Sequence, residues 1–130
     1  KKYSDTTSVI FLEESLHGDK LKTARRLFTK KIITSLPDVI ITSNDLIAQG
    51  IISAAHENGI NIPNDMQITG FDDLISSAYF IPSVTTVSQN IDELAKRCFS
   101  MLMDLINKKS AVSSIIEQNI ISRSSAKINI

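Results

Sequence analysis

The sequence is poor in the residues that hold small or unusual scaffolds together. Of its 130 residues one is cysteine, none is tryptophan, three are proline and four are glycine. The lone Cys98 excludes an internal disulfide, and the two histidines, His17 and His56, are too far apart in the chain to build a zinc-type ligand cluster. No metal or other cofactor is expected. Charge of one sign is also lacking, because Lys+Arg and Asp+Glu number 14 each. Without a net field there is little of the counterion release that binds a nucleic acid or an anionic membrane, so DNA binding by this chain alone is disfavoured. The longest apolar runs, such as Pro37 to Thr42, fall far short of the ~20 residues that cross a bilayer. A soluble protein with no membrane partner is expected.

What is there is ordinary globular composition, with 42% hydrophobic and 22% charged residues, enough for one domain around one core. The start, Lys1-Lys2-Tyr3-Ser4-Asp5, has neither an initiator Met nor a leader of signal-peptide form. The chain therefore reads as a piece cut from a longer one, which leaves export undecided.

Strands alternate with helices along the chain. Val9 to Leu12 is a short apolar run, and from Asp19 onward Leu21, Ala24, Leu27, Phe28 and Ile32 recur at helical spacing with cationic residues between them. After Pro37 the segment Asp38 to Ser43 is β-branched almost throughout, the pattern of a strand buried on both faces. Asn44 and Asp45 are N-cap types, and Ile47, Ala48, Ile51, Ile52 and Ala55 then follow a helix that Asn58-Gly59 closes. Pro63-Asn64-Asp65 turns the chain into a strand from Met66 to Phe71, ended by Asp72-Asp73. Val84 to Val87 is extended, Ile91 to Ile106 carries the best helical stripe, and Ile115 to Ile121 reads as a closing strand beyond a loop at Ser110 to Ser114. The fold class is α/β: a Rossmann-like, parallel or mainly parallel sheet flanked by helices.

In open parallel sheets the ligand crevice lies outside the carboxyl ends of the strands. Asn44 follows one such end and Asp72 the next. An amide beside a carboxylate suits vicinal hydroxyls, since the carboxylate accepts from both while the amide donates and accepts, each charge-assisted bond contributing about 1.5 to 3 kcal/mol. Each residue also has a plainer reading: Asn44 as a helix N-cap, Asp72 as a turn residue.

Three linked blocks now carry a resemblance. They are Ser43-Asn44-Asp45-Leu46-Ile47-Ala48-Gln49-Gly50, then Gly59-Ile60-Asn61-Ile62-Pro63-Asn64-Asp65-Met66-Gln67-Ile68-Thr69-Gly70-Phe71-Asp72-Asp73, then Pro82-Ser83-Val84-Thr85-Thr86-Val87, with Ser122-Arg123-Ser124-Ser125 as a similar ending. Over residues 36 to 126 the sequence resembles the effector-binding domain of LacI/GalR-type bacterial transcription regulators. The resemblance implies a periplasmic-binding-protein-like fold, of which residues 1–130 form the C-terminal lobe. It implies a small-molecule effector, a sugar being the expected class, held in part by Asn44 and Asp72. It also implies a cytoplasmic homodimer with Gln49 and Phe80 at the dimer contact. Operator DNA would be read only by a helix-turn-helix domain absent before Lys1, as are the first lobe and an effector-binding arginine. The segment 90–112 would normally pack on that first lobe, so the apolar stripe of Ile91 to Ile106 must repack here or on another copy of the chain. Asn90 and Ala95 stand where the family commonly has proline and glycine.

Other readings stay beside this one. A periplasmic sugar-binding protein of an uptake system shares the fold. A Rossmann-like enzyme is disfavoured because no base, nucleophile or glycine-rich phosphate loop accompanies Cys98 or His56; no catalysis is expected. A phosphoacceptor domain needs acids such as Glu13 and Glu14 together with a late lysine at a strand end, and none lies there. The cationic residues Lys20, Lys22, Arg25, Arg26, Lys30 and Lys31 read as the solvated face of one helix, Cys98 as a core thiol, and Gln49 and Phe80 equally as ordinary surface.

Overall fold

The computed structural model describes residues 18–127; the expected strand Val9 to Leu12, with Glu13, Glu14 and His17, lies outside them. Helix α1 (Lys20–Leu27) begins where the Asp19 carboxylate accepts from the Lys22 amide at 3.1 Å, and a π-helical turn (Phe28–Ile32) continues it. Its apolar stripe, Ala24, Leu27, Phe28 and Ile32, is buried against helix α2 (Asp45–Glu57). Gly50 permits the close approach: a Cβ there would stand 2.6 Å from the Leu21 carbonyl oxygen and 2.9 Å from Ala24 Cβ. Arg25 also crosses to α2. Its Nη2 lies 2.6 Å from both carboxylate oxygens of Glu57, and Nη1 donates to Ser53 Oγ. One cation of the expected solvated face is thus a fastener between helices. At its far end α2 stops as expected, with Asn58 Nδ2 donating to the Ala54 carbonyl and Gly59 in the left-handed region at φ 72°.

The sheet contains β1 (Val39–Ile41), β2 (Gln67–Phe71), β3 (Thr85–Ser88) and β4 (Asn119–Ile121), in that spatial order. The first three are parallel, with Ile41 opposite Thr69 and Thr69 opposite Thr85. β4 runs antiparallel to β3. Helix α3 (Ile75–Tyr79) lies between β2 and β3, and α4 (Ile91–Ile106) between β3 and β4. The core centres on Phe28, Ile51, Ile52, Met66, Ile68 and Val84. The chain's end is sewn into it: Ser125 Oγ donates to the Ile68 carbonyl at 2.6 Å and accepts from the Thr85 amide at 2.8 Å, joining β2 to β3.

The α/β class stands, with three corrections of detail. β1 is not buried on both faces, since Val39 and Ile41 are exposed and only Ile40 turns to the core; among the described residues β1 is the edge strand. The closing strand is only Asn119–Ile121, because ladder partners on β3 exist only for those residues, and Ile115 stands in solvent. α4 buries none of its residues. Its stripe therefore does not fold back on this lobe, and Cys98 upon it is exposed instead of in the core. No described helix is long and apolar enough to cross a membrane.

Candidate functional site

The carboxyl ends of β1, β2 and β3 form one edge, and each contributes a polar residue there. Asn44 follows β1. It is placed by Thr42, whose amide donates to the Thr69 carbonyl at 3.0 Å and whose hydroxyl lies 2.9 Å from both that oxygen and the Asn44 carbonyl. The Asn44 side chain caps α2, Oδ1 accepting from the Ile47 amide at 3.0 Å. The plain capping role is thus real, yet it uses only the oxygen. Nδ2 has no acceptor among the described residues, which leaves a donor at the edge.

Asp72 follows β2 and is half-buried. Its amide donates to the Val87 carbonyl of β3 at 3.0 Å, and its backbone takes φ 110°, which side-chain-bearing residues rarely adopt. Such a conformation costs about 1 to 3 kcal/mol and persists only where neighbours over-determine it. Here they do. Asp73, at φ 54°, donates its amide to Thr86 Oγ1 at 3.4 Å and receives Arg123 Nη2 on Oδ1 at 2.6 Å, while the Leu74 amide donates to Asp45 Oδ2 at 2.8 Å. Asp72 Oδ1 accepts from Gln89 Nε2 at 2.5 Å, and Oδ2 has no donor among the described residues. The edge therefore offers an amide donor from beyond β1, a carboxylate acceptor from beyond β2, and the amide of Gln89 just past β3.

The structure brings two of the four expected site residues to one edge. Asn44 and Asp72 follow the carboxyl ends of neighbouring, parallel-paired strands. Gln49 is turned into the chain, 4% exposed, its Nε2 donating to Ser76 Oγ at 2.9 Å and Ser77 Oγ at 3.1 Å. Phe80 packs half-buried against the core, while Ile75, Tyr79 and Ile81 around it are exposed. Two contributors were missed. Gln89 was detectable, because the carboxyl-edge rule applied to β3 points to the residue after Ser88. Asp45 was not; it counted as one of two capping types, but its carboxylate is fully buried and accepts from Leu74, Ser77 and Thr86. A cavity of about 200 Å³ is lined by Ile52 and His56 of α2 and by Ile60 to Ile62, Ile81 and Pro82 from the segments that precede β2 and β3, and neither Asn44 nor Asp72 lines it.

A sheet of parallel strands with polar residues gathered at their carboxyl edge is the architecture of ligand-binding α/β lobes. Residues 5–126 match the model of the periplasmic binding protein-like domain, and the chain belongs to that family. It is similar to the HTH-type transcriptional repressor PurR of Pasteurella multocida, 35% identical over 85 residues that make up 65% of this chain and 25% of that protein. Among solved structures it is similar to a periplasmic binding ribose operon repressor protein from Lactobacillus acidophilus, with a TM-score of 0.78 and 32% identity over 90% of this chain and 44% of that one. A LacI family transcriptional regulator from Enterococcus faecium with bound ribose superposes with a TM-score of 0.74 at 25% identity, over 81% of this chain and 39% of that one. The chain spans about a quarter of the length of the PurR relative it matches.

Proposed function

We propose that this chain is the C-terminal lobe of the effector-sensing domain of a LacI/GalR-type transcriptional repressor. The carrying observation is the shared carboxyl edge, where Asn44 Nδ2 and Asp72 Oδ2 supply a free donor and a free acceptor from adjacent parallel strands. Their ligand is a small polyhydroxylated molecule, a sugar. A pair of vicinal hydroxyls donates to the carboxylate and accepts from the amide, and Gln89, already on the other carboxylate oxygen, fixes the orientation of Asp72. The relatives are repressors of transcription, and one of the neighbouring structures holds ribose, which favours a sensor over an uptake protein or an enzyme. In this reading the protein is a cytoplasmic homodimer. Phe80 lies at the dimer face, and Gln49 supports that face from behind by holding α3. Operator DNA is read by a separate domain, and effector binding shifts the population between two arrangements of the lobes.

The test is Asp72→Ala in the complete protein. Response to an effector found in a thermal-shift screen of pentoses and hexoses should weaken at least tenfold, with operator affinity in the absence of effector unchanged. Effector affinity equal to that of the wild type would refute the assignment.

A further inference from the structure

Asn44 and Asp72 belong to different strands, and something must hold them in register. We propose that Asp45 is the positioning residue of the edge, acting through its neighbours and never on the ligand; this deepens the function proposed above and rests on it. Asp45 is 0% exposed, so no bound molecule reaches its carboxylate. Its backbone adjoins Asn44. Its side chain reaches across to the loop after β2, where Oδ2 accepts from the Leu74 amide at 2.8 Å and from Ser77 Oγ at 2.6 Å. Oδ1 accepts from Thr86 Oγ1 at 2.6 Å, and that hydroxyl lies 3.4 Å from the Asp73 amide. Both residues that follow Asp72 are therefore tied to Asp45, one directly and one through a single hydroxyl. The loop turns at Asp72 and Asp73, both at positive φ, so Asp73 belongs to the turn and Leu74 follows it. The three donors are one amide and two hydroxyls, and each comes from a segment that meets at the edge: the loop after β2, α3 and β3.

This arrangement goes beyond what burial alone requires. A buried carboxylate needs donors, but these could come from its own helix; here all are between 29 and 41 residues away in sequence. Gly70, whose Cβ would overlap Asp45 Oδ1, leaves the room for it. The consequence is mechanical. A ligand that draws Asp72 toward Asn44 pulls against one shared anchor, so the geometry of the acceptor depends on Asp45 although the two side chains are not bonded.

The experiment uses the complete polypeptide, with Asp45→Asn and Thr86→Val, and Thr86→Ser as the conservative variant that keeps the hydroxyl. Amide hydrogen exchange, which needs no ligand, is read at Asp73 and Leu74 against Ile68 and Ala55 in the core. Titration with D-ribose reports the site. Asp45→Asn and Thr86→Val should accelerate exchange at Asp73 and Leu74 at least tenfold with the core amides unchanged, and Thr86→Ser should restore protection. Ribose affinity should fall at least tenfold in the first two and stay within twofold of the wild type in the third. Unchanged loop exchange in Thr86→Val overturns the positioning role, even if Asp45→Asn fails to fold. Loss of loop and core protection together overturns it too, since that is general destabilisation. Failure of the functional reading looks different: wild-type protein and Asp72→Asn would then respond alike to ribose, while the exchange pattern still decides the role of Asp45.

Discussion

Gly70 is the position at which one added carbon should disturb the whole edge. A Cβ there would overlap Asp45 Oδ1, lie 3.1 Å from Asp45 Cγ and 3.2 Å from Val84 Cγ1. Neither neighbour is a flexible end. Val84 is fully buried, and the Asp45 carboxylate is held by three hydrogen bonds. Overpacking a filled core costs about 1 to 3 kcal/mol, and the loss of one bond to a charged group adds about 1.5 to 3 kcal/mol. Gly70→Ala should therefore destabilise by about 2.5 to 6 kcal/mol, a large part of the roughly 5 to 15 kcal/mol typical of a domain. Urea denaturation followed by circular dichroism gives the value directly. Gly59→Ala is the control: that glycine has φ 72° and open space around it, so only backbone strain of about 1 kcal/mol is expected. A sharper check is the double-mutant cycle with Asp45→Ala, in which the penalty of Gly70→Ala should shrink by more than 1 kcal/mol or so because the overlapping oxygen is gone. A Gly70→Ala cost below about 1 kcal/mol, or strict additivity with Asp45→Ala, would refute the reasoning.

Further outcomes follow from single contacts. Asn44→Ser keeps a capping oxygen and removes the free amide, so stability should change by only a few tenths of a kcal/mol while effector affinity drops; Asn44→Ala should lose both, with about 1 kcal/mol of stability, by denaturation and calorimetric titration. Arg123 and Asp73 form a pair at 2.6 Å with side chains 18% and 24% exposed, and Arg123 Nη1 also donates to the Val84 carbonyl. Arg123→Ala should cost about 2 to 3 kcal/mol and speed amide exchange at Asp73. Glu57→Gln breaks the more exposed pair with Arg25 and should cost under about 1 kcal/mol, an effect that fades with added salt. The Lys22 amide holds the Asp19 carboxyl below the ordinary aspartate range. A depressed folded value means that the capping contribution is present at neutral pH and is lost as pH falls through that value. Carbon-detected NMR titration of Asp19 should give a midpoint below that of an unstructured peptide, and a midpoint at or above it would count against the cap.

Local signals in this chain were legible wherever they were complete within one element. The helices from Asp19 and Asn44 begin where the sequence places them, α4 begins at Ile91 where its apolar stripe does, and Gly59 closes α2 with a left-handed turn. What an element faces is another matter, because periodicity records an apolar stripe and not its partner. Asp38 to Ser43 reads as doubly buried from β-branching alone, yet β1 is the edge strand among the described residues and Val39 and Ile41 upon it are exposed. α4 has a stripe as regular as that of α1, but α1 meets Gly50 and the face of α2, while α4 buries nothing. Cys98 follows its helix: a thiol on an apolar stripe is core only when the stripe is.

The site divides along the same line. Asn44 and Asp72 could be found because Asp72 follows β2 directly and Asn44 comes three residues after the end of β1, and the carboxyl-edge rule needs only the order of elements. The residues that fix them come from far along the chain. Gln89 is 17 residues beyond Asp72, and Thr86 is 41 beyond Asp45. No spacing rule joins such pairs, since their separation depends on the lengths of the intervening helix and loops. Capping and ligand readings of Asn44 also looked like rivals on sequence alone. The geometry makes them compatible: the helix takes Oδ1 through the Ile47 amide, and Nδ2 is left without an acceptor among the described residues. A cap of this kind restricts the side chain before any ligand arrives, which reduces the entropy lost on binding. Asparagine meets both needs, where an ionised aspartate would meet only the first.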